Sequence, residues 1–142
     1  MLRHRVDRSR AMAVWYFHGK INSDADYQSY VDSILELKSV LTPEMAGVGL
    51  MFVEPENPVP NATWRRRIAE ASADIGAGCM YALVCDSLAV RGAATAINWL
   101  RPPKYDFRAF AELDEAYAWF QGRHGSGLAA KLRSAMDELR TG

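Results

Sequence analysis

The sequence predicts an α/β domain built on a mainly parallel sheet covered by helices. Two continuous apolar runs of strand length, "GVGLMFVE" (47–54) and "CMYALVCD" (79–86), have the pattern of strands buried on both faces. Stretches with apolar residues at helical spacing alternate with such runs. Parallel neighbours need crossover connections, and this alternation supplies them. The 142 residues suit one ordinary domain with a real core.

Taken in order, "LRHRV" (2–6) reads as a short strand, "DRSR" as a turn, and "AVWYFHG" (13–19) as a strand closed by Gly19. Ser23 with Asp26 three positions on is a capping-box spacing. Tyr27, Tyr30, Val31, Ile34, Leu37 and Leu41 then form one helical stripe, which Pro43 closes. After the strand at 47–54, "PENPVPNA" is a loop offering Asn61 or Thr63 as a cap. Trp64, Ile68, Ala71 and Ile75 follow at helical spacing, Arg65, Arg66 and Arg67 lie largely off that stripe, and Gly76 and Gly78 end the helix.

The strand at 79–86 leads to Ser87 as a cap, with Val90, Ala93 or Ala94, Ile97 and Leu100 facing inward until Pro102 and Pro103. "YDFRAFAEL" (105–113) alternates as a short strand with Phe110 out of phase. Asp114 is the cap expected for "EAYAWFQG", with Ala116, Tyr117 and Phe120 inward. "GRHGSG" (122–127) is a Gly-rich break, and the helix beyond it carries Leu128, Leu132, Ala135, Met136 and Leu139 on one face. That face must dock on its own domain or on a partner. The division expected is 1–121 for the α/β domain and 122–142 for the break and C-terminal amphipathic helix.

Hydrophobic residues make up 49% and charged residues 24%, the profile of a soluble globular chain. A formal net charge of zero gives no global reason to expect nucleic acid or an anionic membrane surface. No stretch approaches the ~18 apolar residues of a membrane span, and the N-terminus lacks a cleavage pattern, so a cytoplasmic location is expected. The two cysteines, Cys79 and Cys85, have no zinc-like spacing. No metal or cofactor is expected.

Ligands of open α/β sheets favour the carboxyl ends of the strands, here the loops His18–Ser23, Glu54–Thr63 and Asp86–Arg91. Helix N-termini collect there and attract anions, so Ser87, Arg91 and Arg65 are candidate anion contacts. Capping by Ser87 and a solvated arginine face account for the same residues without a ligand. Cys79 and Cys85, six apart, share a strand face. A Cys85–His18 pair would be the nucleophile and base of a hydrolase, whereas a buried Cys serving as a small hydrophobe is the plainer alternative. Trp15, Tyr16, Trp64, Trp99 and Trp119 offer rings for an apolar pocket or simply for the core. Neither a GxGxxG nor a P-loop pattern is present.

"VCDSLAVRGAATAINWL" followed by "YDFRAFAELDEAYAWF" resembles the STAS-like, anti-sigma-factor-antagonist-like domains, closest to a STAS/SEC14-like bacterial branch. Val90-Arg91-Gly92, Thr95-Ala96, Trp99, Phe110, Leu113, Glu115-Ala116 and Trp119-Phe120 carry the likeness. It implies a four- to five-stranded sheet with helices mostly on one face, and a non-catalytic domain acting by protein interaction or dimerisation. It also implies a regulatory switch at Asn61–Thr63, with Thr63 as the residue to modify, although "PVPNATW" departs from the acidic-Ser-Ser-Gly motif of true antagonists. A small anionic or lipid-like ligand at the helix N-termini is the alternative function.

Overall fold

A computed structural model describes residues 1–100 and 102–142. The side chains of Trp99 and Leu100, one expected in an aromatic lining and the other on an inward face, lie outside the described residues. Five strands form one sheet in the order β1 (Leu2–Asp7), β2 (Met12–Phe17), β3 (Val48–Val53), β4 (Met80–Val84) and β5 (Asp106–Phe110). The β1–β2 pair is an antiparallel hairpin, and β2 to β5 run parallel.

Between the parallel strands lie α1 (Asp24–Val40), α2 (Ala62–Ser72) and α3 (Leu88–Leu100); after β5 come α4 (Leu113–His124) and α5 (Ser126–Thr141). Each crossover steps the same way across the sheet, and a constant crossover hand places all three helices on one face. Trp15, Phe17, Met51 and Leu83 point into that layer and meet Tyr30, Ile34, Leu37, Trp64 and Ile68. The alternate strand residues Val14, Leu50, Met80 and Val84 point the other way and meet Phe120, Leu132 and Met136.

The strands are apolar at successive positions because both faces are covered. The architecture is therefore α/β with three helices on one face and two on the other. An expectation of helices mostly on one face undercounts the second layer. The physical reason is that Met12, Val14, Val48, Leu50, Met80 and Val84 form an apolar surface too continuous to leave in water. The amphipathic C-terminal helix covers it: Leu132 and Met136 are completely buried there.

Local chemistry fixes the element ends. The Ser23 hydroxyl accepts the Asp26 N–H at 3.1 Å while the Asp26 carboxylate accepts the Ser23 N–H at 2.8 Å, the expected capping box. Asn61, and not Thr63, caps α2 by accepting the Trp64 N–H at 3.0 Å. The Ser87 hydroxyl accepts the Val90 N–H at 3.3 Å and caps α3. Glu112 rather than Asp114 occupies the α4 cap position, its N–H donating to the Glu115 carboxylate at 3.2 Å. Gly122 continues α4, and the break falls at Gly125, whose φ of 83° suits a residue without a Cβ.

Candidate functional site

Between the sheet and the α1–α3 layer lies a cavity of about 120 Å³, partly open to solvent. Its floor is the sheet, through Trp15, Gly49, Met51, Leu83 and Phe107; its walls are α1 and α2, through Tyr30, Ile34, Leu37 and Ile68. Its roof is α3, through Val90, Ala93, Ala94 and Ile97. The space exists because of small side chains at two levels. Ala93 and Ala94 reach only a short way down from α3, and Ala93, Ala94 and Ile97 stay half-buried. Below them Gly49 leaves room for two rings: a Cβ there would sit 2.9 Å from the Trp15 ring and 3.0 Å from the Tyr81 ring.

Aromatic contacts hold the floor in shape. The Trp15 ring meets Tyr30 edge-on at 5.4 Å, and Tyr81 stacks on Phe107 at 5.6 Å. The Trp15 indole N–H donates to Ser33 Oγ at 2.7 Å, and that hydroxyl donates to the Tyr30 carbonyl at 2.7 Å, so the deepest polar atoms are satisfied. Two tyrosines put their hydroxyls together: Tyr30 Oη lies 2.7 Å from Tyr81 Oη. Burial pushes both phenols well above the usual range, so they remain protonated at physiological pH. Among the described residues lining the cavity, none is charged.

At the carboxyl edge of the sheet an amide staple joins two loops. Asn22 and Asn57 exchange hydrogen bonds through their side-chain amides at 2.8 and 2.9 Å. The Asn57 amide also donates to the carbonyls of His18 at 3.2 Å and Gly19 at 3.1 Å, and Asn57 is only 4% exposed. Asn22 in turn donates to Tyr27 Oη at 3.0 Å. Both amides border the cavity, so the staple closes its end beneath the strand termini.

The candidate residues from the sequence lie at this same edge but outside the cavity lining. Asn61 and Ser87 spend their side-chain oxygens on capping, and Arg65 donates to the Pro60 carbonyl at 2.6 Å. Thr63 is exposed in the first turn of α2, and Arg91 is half-buried in the first turn of α3. The Cys85–His18 pair is not assembled: His18 stacks on Tyr16 at 5.0 Å, on the α5 side, whereas Cys85 packs into the α1–α3 layer. Burial raises the Cys85 thiol, the wrong direction for a nucleophile. Of the five rings offered for a pocket, Trp15 lines the cavity; Trp64 packs on Tyr27 at 5.6 Å, and Tyr16 and Trp119 belong to the other layer.

No family model, curated protein or solved structure matches the chain. Function has to be read from the site itself. The residues that sequence reasoning missed are Tyr30, Tyr81 and the small residues Gly49, Ala93 and Ala94. The glycine inside an otherwise bulky strand was the available signal, since it marks close approach of neighbouring groups. No group of three or more His, Cys, Asp or Glu suited to a metal ion occurs among the described residues, and no described helix is long and apolar enough to cross a membrane.

Proposed function

We propose that this chain binds a small, uncharged, mainly apolar molecule between its sheet and the α1–α3 layer. The observation that carries the reading is the cavity, with its aliphatic and aromatic lining and lack of charge among the described residues. The lining atoms lack van der Waals partners across this space, and a ligand supplies the missing contacts. An engineered apolar cavity of ~150 Å³ in another protein admits benzene, so this smaller space takes roughly five non-hydrogen atoms of an occupant within it, any further atoms lying in its open mouth. The lipid-like alternative is thereby narrowed to something much smaller than a diacyl lipid.

Thermal unfolding with and without benzene tests the reading. At a free concentration of about 100 times Kd, binding to the native state alone adds about 2.7 kcal/mol and raises the melting temperature by several degrees. An unchanged melting temperature at saturating benzene would remove the cavity as a binding site.

A second reading keeps the interaction expected of a STAS-like domain and places it at the carboxyl edge. Ile21, in the loop after β2, and Leu88, the first residue of α3, are 76% and 79% exposed, an unusual placement for large aliphatic residues. The occupant proposed is a second copy of the chain. Light scattering would give a dimer mass that falls to a monomer in Leu88→Asp; a monomer at all concentrations in the parent chain would reject it. The switch role of Thr63 belongs to this second reading and rests on the resemblance alone.

A further inference from the structure

We propose that the Tyr30–Tyr81 hydroxyl pair is the polar anchor of the cavity, selecting a neutral ligand with one hydrogen-bonding oxygen, such as an alcohol, a ketone or a phenol. This inference rests on the reading of the cavity as a binding site. The two hydroxyls come from different elements, α1 and β4, and both residues line the cavity.

Their 2.7 Å contact uses one of their two protons. With Tyr30 donating to Tyr81, the acceptor for the second, from Tyr81 Oη, is Met51 Sδ at 3.6 Å, a weak partner for a buried O–H. A donor is thus left underused beside an apolar space. An oxygen atom placed there would accept it at normal length and continue the chain of hydrogen bonds.

The lining has further polar groups in Ser72, Asn98 and Tyr105, and no charge among the described residues. Tyr27 is different because its hydroxyl already accepts from Asn22 at the stapled end. A carboxylate would have to lose its hydration with no lining cation among the described residues to compensate it. An amine would likewise find no lining carboxylate among the described residues. An alkane would fill the volume and leave the Tyr81 proton on sulfur.

Three ring compounds of similar size separate these cases by calorimetric titration of the intact chain at pH 7.5: cyclohexanol, methylcyclohexane and cyclohexanecarboxylate. The expected result is binding of the first two and none of the carboxylate. Tyr81→Phe should weaken cyclohexanol about tenfold, equivalent to ~1.4 kcal/mol, and leave methylcyclohexane within about twofold. The double variant Tyr30→Phe/Tyr81→Phe should weaken cyclohexanol at least as much as Tyr81→Phe does, again with methylcyclohexane within about twofold. Losing only an oxygen, these variants keep the ring packing, and an unchanged methylcyclohexane affinity verifies that the site is intact. If both neutral compounds bind and the phenylalanine variants alter neither or both alike, the anchor is wrong and the binding site stands. If neither neutral compound binds the parent chain, the cavity reading fails and takes the anchor with it.

Discussion

On the α4/α5 side of the sheet, Phe120, Leu132 and Met136 are shielded completely and close over Val14, Leu50 and Val84. On the opposite side the same strands face Ala93, Ala94 and a cavity of about 120 Å³. Both layers rest on one set of strands, so the difference comes from the helices. The α4/α5 pair is anchored by large side chains at each turn, and Arg133 and Arg140 lie over the rings of Tyr117 and Phe52 at 4.4 and 4.9 Å. By contrast, α3 has one buried residue, Val90, among its described side chains. The tight layer supplies stability, and the loose layer supplies space.

The greatest expected effect comes from breaking the tight layer. Deleting residues 126–142 uncovers the apolar face formed by Val14, Leu50 and Val84, and the shortened chain should show no cooperative unfolding transition by circular dichroism. Next, Leu132→Ala should cost about 2–5 kcal/mol in urea unfolding, because the surrounding residues are packed on all sides. A cost below about 1 kcal/mol would mean that this layer is not the tighter one.

On the loose side the signs divide. Gly49→Ala should destabilise by about 1–3 kcal/mol, since its methyl must displace the Trp15 or Tyr81 ring. Ala94→Leu, reaching into open volume, should be neutral or stabilising by up to about 2 kcal/mol. A large loss in Ala94→Leu would show that the space is smaller than described.

The smallest effect lies away from both layers. Hydrogen bonds from Ser9 and Arg10 hold the Asp7 carboxyl down at about 2, below its ordinary 3.8. A depressed carboxylate contributes stability above pH 3.8 that is lost as pH falls toward 2. With the side chain near solvent, the loss should be no more than about 1 kcal/mol, and Asp7→Asn should remove that part of the acid transition.

The sequence made the strands legible because full burial writes itself as unbroken apolar runs, and it made α1 legible through Ser23 and Asp26. Ser87 was readable as a cap for the same local reason. The partner of the C-terminal helix was not, because an amphipathic face specifies burial without specifying against what. Phe110 looked out of phase within its strand because β5 is covered by α4 on the side that Phe110 faces, where it meets Trp119 at 5.7 Å. The cavity was the hardest feature to foresee. It depends on Gly49, Ala93 and Ala94 meeting in space from two elements, and on Tyr30 and Tyr81 converging across 51 positions of chain. Apart from Gly49, a small residue in a bulky strand, none of those residues is unusual where it stands, and their juxtaposition carries the site.

The central claim is that the α1–α3 layer holds an apolar binding space that the other layer lacks. Amide and methyl NMR spectra recorded while benzene is added test it most directly. The account predicts saturable shifts at Trp15, Met51, Leu83 and Ile97, silence at Leu132 and Met136, and loss of the response in Ala94→Leu. Shifts spread equally over both layers, or a response that survives Ala94→Leu, would contradict it.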